Sequence, residues 1–550
     1  MRLARAAALA LLMFVATAPG CLSPRSGPRP VPLARDPGPA SSRAIDPSLA
    51  RLDDDAQVRF LVDLREQVDL ARLSARHDRE RLGRRVAGDR ARAALAEVAS
   101  RGTDRLRPLL TELRASGLLI SHVPLRSRSR IVVTARAAAL SALRAHPAVA
   151  ELIPEYDSLL AGASIVEEPL PVPPGDSWAI DALGVRGPWS EGVDGRGVVV
   201  GILDSGVDGA HAALAAGRLS GASWLDPAGA HDEPEDTVPH GTQVLACAVA
   251  RPVGERALGV APSATWAAAL ANESNGYNNV HMALAADWML FEARPDVLLG
   301  AWGHGSGSCD ARDLPLVEAF RAAGVVPVFA AGNGGPAPAS GQTPAALSGL
   351  HPDGRGPLAV GAVDRNGRVL DESSRGPRVC GGRRPFPDVV APGWLVPVPE
   401  ASRQRGVTLA SGTSMAVGFA GGVAALVVQA APDMTVAEIE DVLIRTARDL
   451  PPRGPDDASG FGMLDARAAV AAAQRWQRRR GAAIASAMRR GRQRDGTFVS
   501  WILPSGVRST RAGGARVTRS APPPIRSDMP AFLSTRRTKP CVSANGGMPP

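Results

Sequence analysis

The sequence predicts an α/β fold: a parallel β-sheet sandwiched by helices, preceded by a small α+β domain. Three observations carry this. Near-continuous apolar runs occur at Val198–Leu203, Val297–Ala301, Val325–Ala330 and Leu358–Ala362, as expected for strands buried on both faces. Helical patterns lie between or beside them at His240–Ala250, Asn279–Phe291 and Leu314–Ala323, and such alternation points to a parallel sheet. Ahead of them, strand patterns at Val58–Asp63, Arg130–Thr134 and Val149–Ile153 alternate with helical patterns at Asp89–Arg114 and 136–145. That β-α-β-α-β order suits a small α+β domain.

In chain order, residues 1–21 have the layout of an export signal: Arg2 and Arg5, an apolar stretch Ala6–Ala16, then Ala-Pro-Gly-Cys21. A small residue before a cysteine resembles the bacterial lipobox, which makes Cys21 a lipidation candidate and a membrane attachment point. Ala18 stands where that motif usually has Leu, so ordinary secretion stays open. Either way the protein is expected to be exported, as a cell-envelope lipoprotein or a free extracellular protein. Residues 22–56, rich in Pro, Ser and Arg, suit a flexible tether. The α+β domain follows over 57–160, then a Pro-rich acidic linker at 161–177, the α/β domain at 178–474, and a tail at 475–550. Late in the α/β domain, Thr435-Val-Ala-Glu438 reads as a capping box opening a helix. No apolar run is long enough to span a bilayer.

The net charge of +9 raises the question of a nucleic-acid partner. The basicity belongs to the tail: residues 475–550 hold 16 Lys+Arg against 2 Asp+Glu, leaving the rest of the chain at −5. The tail is also rich in Gly, Pro and Ser, and reads as largely disordered. No nucleic-acid partner is expected.

Four polar residues stand beside glycines at element ends. Asp204 ends the first strand of the sheet; His240 opens a helix; Asn333 follows a buried strand in Ala-Ala-Gly-Asn333; Ser414 begins an apolar helix after Gly412-Thr413. Each has an ordinary reading alone: a turn cap, a loop histidine, a turn former, a helix N-cap. Together they compose a nucleophilic site. A serine hydroxyl is a weak nucleophile, a neutral histidine can take its proton, and an aspartate can hold the imidazole tautomer.

The order Asp…His…Asn…Ser, with its local signatures, resembles the subtilase family of serine proteases. The matches are Asp204-Ser-Gly-Val-Asp208, His240-Gly-Thr, Ala331-Gly-Asn333 and Gly412-Thr-Ser-Met-Ala416, supported by Gly259-Val-Ala-Pro262, Ser373-Ser-Arg-Gly-Pro377, Asp388-Val-Val-Ala-Pro392-Gly and Gly460-Phe-Gly-Met-Leu-Asp465. The resemblance spans Trp178 to Ala473. It implies a serine endopeptidase with a subtilisin-like catalytic domain and catalytic Asp204, His240 and Ser414. Asn333 and the Ser414 N–H would hold the oxyanion, and Ala301, Trp302 and Gly303 would pair with the backbone of protein or peptide substrates. It implies no required cofactor. The 57–160 domain is similar to the family's inhibitory propeptide, which acts as an intramolecular partner until self-cleavage, here within 155–177.

Two departures stand out. The strand that usually ends Ser-Leu-Gly or Ser-Trp-Gly reads Ala301-Trp-Gly303, so Trp302 is expected to narrow a subsite. Gly418 replaces the family's proline in the serine helix and is expected to loosen that helix by about 1 kcal/mol relative to alanine, shifting it slightly. The segment Asp226–Asp236 is dense in carboxylates. Hard oxygen ligands such as Asp232, Glu235 and Asp236 suit a structural calcium ion, although a solvated acidic loop is the plainer reading. Export permits a disulfide, and Cys309–Cys380 is the first pair to test, since sequence does not give connectivity. A peptide-binding scaffold without catalysis is the main alternative. An α/β-hydrolase esterase fails on the order of its residues.

Overall fold

The structure is a computed structural model, and it describes residue 49 and residues 52–80, 82–159, 171–273, 276–350, 356–400 and 403–495. The export signal with Cys21, most of the 22–56 tether, residue 160, residues 161–170 of the linker and the chain after 495 lie outside these residues.

The N-terminal domain runs β1 (Gln57–Leu64), α1 (Leu70–Arg79), α2 (Arg84–Ala115), β2 (Leu119–Leu125), β3 (Arg130–Arg136), α3 (Ala139–Ala145), β4 (Val149–Pro154) and β5 (Asp157–Leu159). Its antiparallel sheet has the order β2-β3-β1-β4. One face of this sheet packs on α2 and α3 through Phe60, Val62, Ile131, Val133, Leu106 and Leu140. The α+β expectation holds, with β2 and α1 added to it.

The second domain begins with short helices α4 (Trp178–Ala182) and α5 (Arg186–Ser190). It continues through β6 (Val199–Asp204), β7 (Trp224–Leu225), α6 (His240–Val249), β8 (Thr265–Leu270), β9 (Asn272–Glu273), β10 (Gly276–Asn278) and α7 (Asn279–Trp288). Then come β11 (Val297–Gly300), α8 (Leu314–Ala322), β12 (Val326–Ala330), β13 (Leu358–Val363), β14 (Val389–Pro392), β15 (Val396–Pro399), β16 (Val407–Ala410), α9 (Thr413–Ala430), α10 (Val436–Arg445) and α11 (Ala466–Asp495). Seven strands form one sheet in the order β14-β13-β12-β11-β6-β8-β7, every pair parallel. The central strands are buried on both faces, which is why they read as unbroken apolar runs.

Two cores fill the sandwich. One joins the sheet to α6, α9 and α10; the other joins it to α7 and α8 around Phe320 and Phe329. Helix α9 crosses β11, β12, β13 and β14 as well as α6. It has no polar face because it has no exposed face. This helix has the length and apolarity of a membrane span, contrary to the expectation that no segment does. Its Ser, Thr and Gly residues break the apolar run in the sequence, and its burial marks it as a core helix.

Helix α10 opens with the expected capping box: Thr435 Oγ1 accepts from the Glu438 N–H (3.2 Å) while Glu438 Oε2 accepts from the Thr435 N–H (2.9 Å). Cys309 and Cys380 form a disulfide with Cα atoms 4.9 Å apart. Helix α11 runs past 474, the expected end of the catalytic domain. Its Ala- and Arg-rich sequence favours helix, and it continues through Asp495 into the segment read as a disordered tail.

Candidate active site

Parallel strands deliver their C-terminal ends to one edge of the sheet, where ligands of such sheets bind. Strand β6 ends at Asp204, β11 leads into Ala301, and β12 leads through Ala331-Gly332 into Asn333. Helices α6 and α9 start there with His240 and Thr413-Ser414. The structure thus brings the four sequence-predicted residues to one edge.

His240 Nδ1 lies 2.7 Å from Asp204 Oδ1, which also accepts the Ser205 N–H at 2.8 Å. Asp204 is 2% exposed. His240 Nε2 is buried and has no hydrogen-bond partner among the described residues. Burial alone would lower the His240 pKa. The Asp204 charge and its hydrogen bond more than offset this, so the pKa is raised above the ordinary 6.5. The glycine of His240-Gly241 is required by close approach: a Cβ at 241 would collide with the Gly206 carbonyl oxygen.

Two contacts set the relation of His240 to Ser414. A Cβ on Gly418 would overlap the Val244 carbonyl oxygen and stand 2.6 Å from Cys247 Cβ. One turn on, a Cβ on Gly422 would stand 3.0 Å from the Ala248 carbonyl oxygen. Both residues advance by four on both helices, so α6 and α9 lie side by side and run the same way. One turn toward both N-termini, the same register aligns position 414 of α9 with position 240 of α6. Gly418 is therefore less a loosened helix position than the point where two helices touch.

The Ser414 hydroxyl donates to the Ala301 carbonyl at 3.3 Å. Asn333 Oδ1 accepts from the Thr413 N–H (3.1 Å) and Thr413 Oγ1 (2.8 Å). These bonds orient the Asn333 amide against the start of the serine helix, and sequence reasoning gave Thr413 no such part. The side chain of Trp302 turns into the second core, 5.5 Å from Phe329, 6.0 Å from Tyr277 and 5.6 Å from His304 between ring centres. It is 4% exposed, so its indole is core filling. Gly303 packs against Gln342, 2.8 Å from Oε1 at its Cβ position.

The acidic segment is organised by internal bonds. Asp226 accepts the N–H groups of Ala228, Ala230 and His231, and Glu235 pairs with His231 at 2.7 Å. Asp236 turns inward. It accepts from Ser205 Oγ (2.7 Å), the Thr242 N–H (2.8 Å) and the Thr242 hydroxyl. Ser205 Oγ in turn accepts the Gly241 N–H at 3.0 Å. Burial pushes the Asp236 carboxyl up to about 6, the Asp204 charge adds to this, and the hydrogen bonds oppose it. Asp232, Glu235 and Asp236 do not converge, and no cluster of three or more His, Cys, Asp or Glu suited to a metal occurs among the described residues. These residues do not fit a calcium site. Asp236 instead braces the turn that holds Asp204 against the start of α6, a role hidden in the sequence by its acidic neighbours.

The model of the Subtilase family (Peptidase_S8) matches residues 195–462. The chain is 32% identical to bacillopeptidase F of Bacillus subtilis strain 168 over 327 residues, 54% of this chain and 22% of that protein. It is 32% identical to the subtilisin-like protease PopC of Myxococcus xanthus DK1622 over 306 residues, 50% of this chain and 60% of PopC. It is 31% identical to subtilisin E of Bacillus subtilis strain 168 over 283 residues, 51% of this chain and 68% of subtilisin E. The chain thus spans about a fifth of bacillopeptidase F and three fifths of PopC. The matched segment contains the parallel sheet, the two side-by-side helices and all four edge residues, and by this likeness the chain belongs to the subtilase family.

Proposed function

We propose that this chain is an exported serine endopeptidase that hydrolyses peptide bonds through Asp204, His240 and Ser414 and matures by cutting its own N-terminal domain away in sequence. The observation that carries the reading is the 2.7 Å bond from His240 Nδ1 to Asp204, which leaves Nε2 as the basic nitrogen.

In this reading the Ser414 hydroxyl turns from the Ala301 carbonyl toward His240 Nε2 and attacks the scissile carbonyl carbon. The proton passes to Nε2, and Asp204 stabilises the imidazolium. The Asn333 NH2 and the Ser414 N–H, at the positive end of α9, hold the oxyanion. The tetrahedral adduct collapses, imidazolium gives its proton to the leaving amine, and an acyl ester remains on Ser414. Water, deprotonated by His240, releases the acid and restores the serine. The 57–160 domain acts as an intramolecular inhibitor until the linker is cut. Export, with or without lipid on Cys21, rests on the N-terminal sequence alone.

The test is expression of the full chain with and without Ser414→Ala, following chain size and labelling by a fluorophosphonate. Wild type is expected to shorten and label, and the variant to do neither. A wild-type chain that stays full length and unlabelled overturns the enzyme reading in favour of a peptide-binding scaffold.

A further inference from the structure

We infer that the place now taken by Tyr156 is a distal substrate subsite, in which Arg312 and Tyr277 select a tyrosine well upstream of the bond to be cut. The inference rests on the proposed endopeptidase reading and names a side chain which that enzyme prefers.

The chain that leads into the linker lies on the catalytic domain as a strand. Strand β5 runs antiparallel to β10, with Leu159 opposite Gly276, Ser158 opposite Tyr277 and Asp157 opposite Asn278. One residue earlier, the Tyr156 N–H donates to Asn279 Oδ1 (3.0 Å) and the Asn279 N–H donates to the Tyr156 carbonyl (3.4 Å). These bonds use the backbone of residue 156 and do not depend on its side chain. A substrate strand running the same way meets the same partners. Its side chain at that place then meets whatever surrounds the Tyr156 ring. With 156–159 seated as a strand, the cut falls beyond Leu159, so this side chain lies upstream of it.

The surroundings belong to the catalytic domain and are fixed there. The half-buried Tyr156 ring lies 6.2 Å from that of Tyr277 between centres, within the range of an aromatic pair. Its hydroxyl accepts from Arg312 Nη1 at 2.8 Å, and the guanidinium stands 5.4 Å from the ring centre. Tyr277 is buried, donates to Asp313 Oδ1 at 3.3 Å and meets the His304 ring edge-on at 4.5 Å. Asp310 holds Arg312 twice: Oδ1 accepts its backbone N–H at 3.0 Å and Oδ2 pairs with its guanidinium at 2.5 Å. The bridge from Cys309 to Cys380 ties down the same loop. Ring, donor and loop therefore stay in place whichever chain lies on β10. Phenylalanine would stack there but leave the Arg312 donor to water. Tryptophan has room, since a cavity of about 380 Å³ adjoins the ring, but it offers no acceptor. Glutamate would compete with Asp310 for the guanidinium and face the charges of Asp310 and Asp313. Tyrosine alone among these meets both the ring and the donor.

The test reads a ratio. Internally quenched peptides copying residues 152–177 carry Tyr, Phe, Trp or Glu at the place of residue 156. They are offered to the enzyme that the full chain yields by its own maturation. A ratio of kcat/KM between two peptides is the same whether or not an N-terminal domain still competes for the cleft. The Tyr peptide is expected to exceed each of the others by about 10-fold, the value of one charge-assisted hydrogen bond at a half-exposed site. Arg312→Met is expected to bring the Tyr-to-Phe ratio to about 1. Equal use of the Tyr and Phe peptides by the wild type overturns the inference, and so does a preference that survives Arg312→Met. A wild-type chain that cuts none of the peptides falls on the proposed function, and the subsite is then read without turnover. In the full Ser414→Ala chain, amide hydrogen exchange over 157–159 should quicken about 10-fold with Tyr156→Phe or Arg312→Met, and no further with both. Exchange unchanged by either substitution overturns the inference.

Discussion

Replacing Gly418 by alanine is a sharp test of how the site is assembled. The added methyl stands 2.6 Å from Cys247 Cβ and overlaps the Val244 carbonyl oxygen. Carbon atoms settle at about 3.5–4.0 Å, so α6 and α9 must part by roughly 1 Å at this point. Helix propensity favours alanine by about 1 kcal/mol. Overpacking a filled core typically costs about 1–3 kcal/mol, and the obstacle here is backbone, which has no rotamer to change. The net expectation is a loss of about 2 kcal/mol, or about 5 °C in Tm for a domain of this size. The contact lies one turn below both Ser414 and His240, so the displacement reaches the pair directly. A 1 Å misplacement of reacting groups can cost about 100-fold, and kcat should fall by about 10- to 100-fold with little change in KM. Melting is measured in a Ser414→Ala background to prevent autolysis, and turnover with a fluorogenic peptide. An alanine variant with a higher Tm and unchanged kcat would refute the reasoning.

Because the His240 pKa is raised and the base acts only when neutral, kcat/KM should rise with pH through an apparent pKa above 6.5; an acidic limb at or below 6.5 contradicts the Asp204 coupling. Asp236, held up at about 6 against 3.8 for a free carboxyl, makes the folded state bind the extra proton. Its stabilising contribution is full below about 3.8 and is lost as pH rises through about 6, a change of at most about 3 kcal/mol. In the Ser414→Ala background Asp236→Asn should remove that segment of the stability–pH curve, and an unaltered curve would place the titration elsewhere. The Cys309–Cys380 bridge closes a separation of 71 residues; replacing both by alanine should cost up to about 4 kcal/mol by loop entropy, read from denaturant midpoints. No change would mean the two loops are held by packing alone.

The central strands and the four edge residues were legible in the sequence because their causes are local. Burial on both faces leaves unbroken apolar runs in β6 and β13, and glycines mark where the backbone must stay slim at His240-Gly241. Strand β2 was missed because it is an edge strand whose Ile120 and Val123 are exposed and whose sequence includes His122 and Pro124. Helix α1 was missed because only a narrow stripe of it, Leu70 and Leu73, meets the core. Asp236 could not be told from Asp232 and Glu235 by composition, since what separates them is which carboxylate turns toward Ser205 and Thr242. Gly418 was read by its cost to one helix, whereas its role lies in a neighbour more than 170 positions earlier, Val244.

The placement of α9 has a consequence in time. Every strand of the seven-stranded sheet precedes residue 413 in the chain, and the nucleophile proposed for the enzyme rides on the helix that then fills the sheet's interior. A ribosome that has delivered the scaffold, the aspartate, the histidine and the asparagine has still not delivered the hydroxyl. Under the proposed mechanism, chains that stop before Thr413 lack the nucleophile, and the helix that packs between α6 and the sheet is also the one that completes the catalyst. In that reading the cell is shielded from the enzyme until α9 has been made, with only α10 and α11 of the core still to follow.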